Sequence, residues 1–358
     1  LTYAEMPAAE LLSAGFEAAD VAEHPWVVRW DAVGDVEDLV LSHLPDTVDL
    51  RTSGTTGQPT TWRRTREQLW REAHLLAGLL RPDAPRALVT FAPPRHLYGA
   101  LAGVLVPAIL GVPAWHRPRY FGAMPDERGG AWAVTALPWT FSILGRHREW
   151  VAAAERITIL HSTAMLPPSA AETLGEMGAG RARLVEVFGS TEAGGIARRE
   201  GDGPWELLPD VTFAGPVTPG EYEVSLEIRS PRIATRPGEP PRESWRTDDF
   251  VRPLDERRFV FAGRRGRLAK VNGRRVPLDE LEHAALAVLD CADLAIQPVS
   301  AELSGEALTL LVVAHPGSGL TEAGVRAAVS RLGLGSCGIR LVGHIDRTET
   351  GKLRRVGG

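Results

Sequence analysis

Between residues 87 and 188 short apolar runs alternate with helical segments, and this alternation constrains the fold more than any other feature. The runs are Ala87–Phe91, Ala131–Ala136, Ile157–Leu160 and Arg183–Phe188; helical patterns fall at Thr140–Arg146 and Ser169–Met177. A strand covered on both faces reads as an unbroken apolar run rather than an alternating one. Strands alternating with helices predict a largely parallel sheet whose loops gather at its carboxyl edge. The expected fold class is α/β, with sheets flanked by helices in a large N-terminal domain.

The remaining segments fit around that sheet. Residues 1–45 read as one or two short helices, with apolar positions at Leu11, Leu12, Phe16 and Val21. The uncharged run Leu97–Trp115 approaches membrane-spanning length. Pro107, Gly111 and Pro113 divide it into a buried helix of about ten residues and a following strand. Residues 200–262 are rich in Pro and Gly, with strand-like runs at Tyr222–Ile228 and Phe259–Phe261 that suggest β hairpins. Gly263–Arg267 reads as a linker. Beyond it, helix Pro277–Val288, strands Leu294–Val299 and Ala307–His315, helix Thr321–Arg331 and strand Ile339–Ile345 predict a small C-terminal α+β domain. The expected division is a core domain at 1–264 and a second domain at 265–358.

Composition narrows the class. The chain has 358 residues, a net charge of −5 and two cysteines, Cys291 and Cys337. That balance gives no reason to expect nucleic-acid binding, and two thiols make neither a disulfide framework nor a zinc cluster. The first residues lack the basic region and apolar block of a secretory signal, so the cytoplasm is the expected compartment. Of the 40 Lys plus Arg residues only Lys270 and Lys352 are lysines. A lysine kept in so arginine-biased a chain marks either chance survival or a place where a compact, flexible ammonium is needed.

The stretch Arg51-Thr52-Ser53-Gly54-Thr55-Thr56-Gly57-Gln58-Pro59-Thr60-Thr61 follows an extended segment and precedes an amphipathic helix capped by Thr65, with Leu69, Leu75, Leu76 and Leu79 inward. Two glycines and a run of hydroxyls can form a nest for a polyphosphate. No Gly-Lys-Ser/Thr follows, so it is not a Walker loop. Such a loop alone is most often an ordinary turn. Four further stretches give it context: Phe188-Gly189-Ser190-Thr191-Glu192, Trp245-Arg246-Thr247-Asp248-Asp249, Gly263–Glu282 and Arg347–Arg355.

In order and spacing these five resemble the adenylate-forming superfamily of acyl-CoA synthetases, peptide-synthetase adenylation domains and luciferases, over roughly residues 48–356. The resemblance implies that a carboxylate and Mg-ATP give an acyl-adenylate and pyrophosphate, after which a thiol or other nucleophile takes the acyl group. It implies that Thr52, Ser53, Gly54, Thr55, Thr56 and Gly57 hold the β,γ-phosphates. Phe188 and Gly189 would pack on adenine, Ser190 would bind the nucleotide, Thr191 would touch phosphate, and Glu192 would bind Mg²⁺, which takes one or two protein oxygens plus phosphate oxygens. Asp249 matches the ribose-diol aspartate, and Arg264 and Arg275 match nucleotide contacts. Lys270 matches a loop used in thioester formation and Lys352 the lysine that bridges carboxylate and α-phosphate. The C-terminal domain is then a mobile lid.

Departures from the pattern carry their own expectations. About fifty residues precede the loop where relatives usually have more than a hundred, which points to a reduced core domain and leaves open a homodimer or a partner that completes it. Thr60 replaces the loop's usual lysine, leaving Arg63 or Arg64 as nearby cations. Gly266 replaces a hinge aspartate and Asp346 a proline. The acid pocket would be walled by His96, Tyr98 and Gly99, by Ser162, Thr163 and Ala164 in place of the usual Gly-Gly-Ala, and by Gly194. No carboxylate lies in Pro93–Gly99, which speaks against α-amino acids, and the larger hydroxyl-bearing wall favours a small or aromatic acid. The stretch Phe188–Arg198 looks most like ligases of secondary metabolism that load carrier proteins. CoA, carrier-protein phosphopantetheine or an amine stay open as acceptors. A non-catalytic nucleotide or acyl-adenylate module is the alternative reading.

Overall fold

A computed structural model describes residues 3–52, 60–120, 122–164, 166–178, 180–220, 222–264, 268–271, 274–301, 305–332, 334, 337–347 and 353. The chain divides into two compact units, Leu1–Pro216 with Glu227–Trp245, and Val217–Leu226 with Arg246–Thr348.

Strands of the first unit are Ala4–Glu5 (β1), Trp26–Val28 (β2), Thr47–Arg51 (β3), Thr61–Thr65 (β4), Ala87–Thr90 (β5), Ala114–His116 (β6), Ala131–Ala136 (β7), Arg156–His161 (β8), Ala182–Ser190 (β9), Gly194–Arg199 (β10) and Trp205–Leu207 (β11). Nine of them lie in the order β1-β2-β6-β5-β7-β8-β9-β10-β11, while β3 and β4 form a separate hairpin. From β6 through β9 every pairing is parallel, with Thr90 opposite His116 and Thr135, Ala136 opposite His161, and His161 opposite Glu186. That register sets the carboxyl ends of five strands along one edge, as the alternating pattern predicts.

Side chains alternate across the sheet into two apolar layers. Leu88, Ala133 and Leu160 pack with the helices Arg66–Leu80 and Val106–Leu110; Val89, Val134 and Ile159 pack with Phe141, Leu144 and Ala170 on the other face. Helix Arg66–Leu80 begins with a capping box, in which Thr65 and Gln68 satisfy each other's backbone amides. It buries Leu69, Ala73, Leu76, Ala77 and Leu80, with Leu75 and Leu79 half-buried.

The long uncharged run differs from expectation. Helical backbone continues from Leu97 to Leu110 through a π-helical turn at Ala100–Leu105, and Pro107 lies within it. Val106 still donates to Leu101 five residues back. The next donor in that pattern would be Pro107, which has none. Buried Thr135 supplies it instead, its hydroxyl donating to the Ala102 carbonyl at 3.1 Å. Among the described residues no helix is long and apolar enough to cross a membrane.

Thr212–Phe213 (β12) pairs antiparallel with the end of Val224–Arg229 (β13). In the second unit Ser244–Pro253 (β14) and Arg258–Arg264 (β15) form an antiparallel pair, so Gly263 and Arg264 belong to a strand and not to a linker. Leu268–Val271 (β16) and Arg274–Pro277 (β17) form a hairpin. Helix Leu278–Val288, Asp293–Ala301 (β18), Gly305–Val313 (β19), helix Glu322–Val329 and Gly338–Leu341 (β20) follow in the predicted order. Their core includes Leu278, Ala285, Leu294, Ile296, Leu310, Val312 and Val325.

Candidate active site

The turn between β9 and β10 carries Thr191 and Glu192 at the carboxyl edge of the sheet. Both are half-buried, while Ala193, Gly194 and Gly195 are buried. The turn is fixed from beneath by four backbone anchors. Arg64 Nη2 donates to the Thr191 carbonyl at 3.2 Å, and the Ala234 amide donates to the Glu192 carbonyl at 2.8 Å. The Gly195 amide donates to Glu72 Oε1 at 2.6 Å, and Arg232 Nη2 donates to the Gly195 carbonyl at 2.8 Å.

Behind these anchors lies a buried charge cluster. Arg64, Glu72 and Arg232 are 0, 1 and 0% exposed. Glu72 Oε2 accepts from Arg64 Nη1 at 3.0 Å and lies 3.1 Å from Arg232 Nη1, and Arg232 grips Asp210 with two further bonds of 2.9 Å. Two guanidiniums meet buried Glu72 and half-buried Asp210, and that balance of charge offsets the cost of burial. Burial pulls the Arg64 guanidinium below its ordinary range, only partly offset by the Glu72 it shares with Arg232. Arg232 also feels burial, but Glu72 and Asp210 together hold it above that range.

This arrangement explains Gly194. Its φ is +76°, and a Cβ there would stand 2.5 Å from Glu72 Oε2 and 2.8 Å from Arg232 Nη1. It also corrects the expectation for Arg64 as a cation facing the phosphate loop: the side chain is wholly enclosed. Arg63 pairs with Asp49 at 2.7 and 2.8 Å. Thr52 and Thr60 close the mouth of the β3–β4 hairpin, with an amide–carbonyl bond of 3.0 Å and the Thr52 hydroxyl against the Thr60 backbone. Ser53, Gly54, Thr55, Thr56 and Gly57 lie outside the described residues.

The residues expected to wall the acid pocket stand at the ends of neighbouring strands. The Tyr98 hydroxyl donates to the Leu160 carbonyl at 2.5 Å, and burial pushes it well above the usual phenol range. Gly99 packs so closely on the Pro93 carbonyl that a Cβ would overlap it. His96 precedes the helical turn Leu97–Gly99 and is half-buried. Ser162 Oγ donates to the Val187 carbonyl at 2.8 Å, so its proton is committed to joining β8 and β9 and is not offered to an acid. Thr163 has φ +85°, a glycine conformation held by a β-branched residue. Ala164 beside it is half-buried. Phe188 packs against Trp205, ring centroids 5.4 Å apart, with Gly189 exposed and Ser190 Oγ accepting from the Ala193 amide at 3.2 Å.

No protein-family profile matches the chain. It is 32% identical over 171 residues to 4-coumarate–CoA ligase of Halorhodospira halophila, covering 47% of this chain and 41% of that protein. Among solved structures, ATP-bound MatB from Rhodopseudomonas palustris shares the fold with a TM-score of 0.67 at 20% identity, over 86% of this chain and 66% of that one. The anthranilate CoA ligase AuaEII in complex with anthranoyl-AMP has a TM-score of 0.65 at 14% identity, over 86% and 65%. In part of its sequence the chain is similar to a CoA ligase, and in fold to MatB and AuaEII. Its match thus spans about two-fifths of the curated relative's length.

The second unit holds the other expected residues. Asp249 is 4% exposed and pairs with Arg264 Nε at 2.8 Å across β14 and β15. Lys270 and Arg275 are backbone partners in the β16–β17 hairpin. Arg347 binds Asp293 through two bonds of 2.7 and 2.8 Å and forms a β-bridge with Leu353. Lys352 lies outside the described residues. Sequence reasoning missed the cluster of Glu72, Arg232 and Asp210. One signal was available: Glu72 falls on the apolar stripe of Leu69, Ala73, Leu76 and Leu80, where a lone carboxylate demands a buried partner.

Proposed function

We propose that this protein activates a small or aromatic carboxylic acid as its acyl-adenylate, releasing pyrophosphate, and passes the acyl group to the thiol of CoA or of a carrier protein's phosphopantetheine, in secondary metabolism. The observation that carries the reading is the rigidly anchored Thr191–Glu192 turn at the carboxyl edge of the parallel sheet. Attack by a carboxylate on the α-phosphorus builds a crowded anion, so catalysis consists of positioning and charge stabilisation. Among the described residues no group of three or more metal-ligating side chains occurs. A single carboxylate, Glu192, together with phosphate oxygens suits Mg²⁺, which keeps few protein ligands.

Thr52 and the loop that follows would hold the phosphates, Phe188 and Gly189 the adenine, and Asp249 and Arg264 the ribose. Lys352 would bridge carboxylate and α-phosphate, and Lys270 and Arg275 would act on the mobile lid at 265–358. That AuaEII is a ligase of anthranilate supports the aromatic acid. ATP–pyrophosphate exchange over a panel of benzoates, hydroxybenzoates and short acids tests the reading. Exchange with at least one acid is expected, lost in Lys352→Ala while capture from supplied acyl-adenylate is spared. ATP binding without exchange for any acid would favour a non-catalytic module instead.

A further inference from the structure

Two segments proposed to bind ATP, the β3–β4 hairpin and the β9–β10 turn, are joined through one side chain. Arg64 stands in β4, one strand-length from Thr60. Its Nη2 reaches the Thr191 carbonyl and its Nη1 reaches Glu72, on the helix that the same hairpin leads into. A second tie runs alongside. Arg63 exchanges backbone bonds with Thr235, and the neighbouring Ala234 amide holds the Glu192 carbonyl. The arginine's planar fork is suited to serving two acceptors at once, which an ammonium cannot do in the same geometry.

We infer that Arg64 is a positioning residue: it fixes the turn carrying Thr191 and Glu192 relative to the hairpin that presents the phosphate loop, so that both sides of the triphosphate are met by one rigid frame. The inference rests on the adenylation reading and deepens it. Arg64 itself is 0% exposed and touches no substrate. Its effect passes through the Thr191 carbonyl and the Glu72 carboxylate.

Arg64→Met tests this: Glu72 keeps Arg232 at 3.1 Å and the Gly195 amide at 2.6 Å, while the lost buried charge lowers Tm. Exchange is measured per active site, counted by a stoichiometric burst, so that a loss of folded protein does not register. The expected result is a fall in kcat of roughly 10- to 100-fold, the cost of a misplaced reacting group, with a higher Mg²⁺ concentration for half-maximal rate and an unchanged KM for the acid. Arg64→Lys should lie between Met and wild type. Independently of turnover, hydrogen exchange at the amides of 191–195 should quicken in Arg64→Met while β7 and β8 stay protected. Wild-type values of kcat, Mg²⁺ requirement and amide protection in Arg64→Met would overturn the positioning role, however far Tm moves. If wild-type protein exchanges with no acid, the adenylation reading falls, and the amide protection still decides the tether.

Discussion

Asp249 and Arg264 stand opposite each other in β14 and β15, and the guanidinium holds one oxygen of the carboxylate at 2.8 Å. The Asp249 amide donates to the Thr247 hydroxyl at 3.1 Å, and that hydroxyl donates to the Leu226 carbonyl. The aspartate is therefore oriented by its own strand and its neighbour before any nucleotide arrives. Asp249→Asn keeps the shape and removes the charge. With hydrogen bonds to a charged group worth about 1.5–3 kcal/mol, the KM for ATP should rise roughly 10- to 100-fold, with kcat less affected. An unchanged KM in initial-rate assays, with only Tm lowered, would show Asp249 to be a structural partner of Arg264 alone.

Thr163 stores strain beside the proposed acid pocket. A β-branched residue at φ +85° costs about 1–3 kcal/mol, and glycine would remove that cost while giving back about 1 kcal/mol in unfolded-state entropy. Thr163→Gly should leave Tm near or slightly above wild type. It should also widen the range of acids that support exchange, most of all for bulkier ring substituents. Loss of stability, or a narrower range, would contradict a strained wall that restricts the pocket.

Buried histidines predict the acid limb of stability. Burial holds His116 and His161 down to about 3, and each leaves its Nε2 without a partner among the described residues. Unfolded, each titrates near 6.5. Below that value the unfolded chain binds the extra protons, so stability is full above pH 6.5 and falls as pH drops toward 3. Each histidine contributes a slope approaching about 1.4 kcal/mol per pH unit. Denaturant unfolding between pH 7 and 5 should show the loss before most carboxylates protonate, and His161→Phe should remove about half of it. A flat profile over that range would mean that these imidazoles are not buried as neutral groups.

The parallel core was legible in sequence because strands covered on both faces leave continuous apolar runs such as Ala131–Ala136. The turn carrying Thr191 and Glu192 stood out through the order and spacing of the five stretches, since a glutamate at a strand end says little alone. Less visible was β4. Its buried positions are Trp62 and Arg64, and a buried arginine hides the period of two that marks a strand. β1 and β2 are too short, at two and three residues, to show any period. The charge cluster was hidden for another reason. Arg64 and Glu72 are near in sequence, but Asp210 and Arg232 come from a distant part of the chain, and only the fold brings a neutral set together. Pro107 misled because its missing donor is replaced by Thr135, a compensation that no local pattern carries.

The central claim is that a carboxylate oxygen of the substrate attacks the α-phosphorus of ATP, on a frame that Glu192 and its anchors hold in place. Isotope transfer measures this directly. An acid that supports exchange is labelled with ¹⁸O in its carboxyl group and turned over with ATP, Mg²⁺ and a thiol acceptor. The account predicts that one labelled oxygen appears in AMP. Unlabelled AMP, or ADP as the nucleotide product, would contradict it.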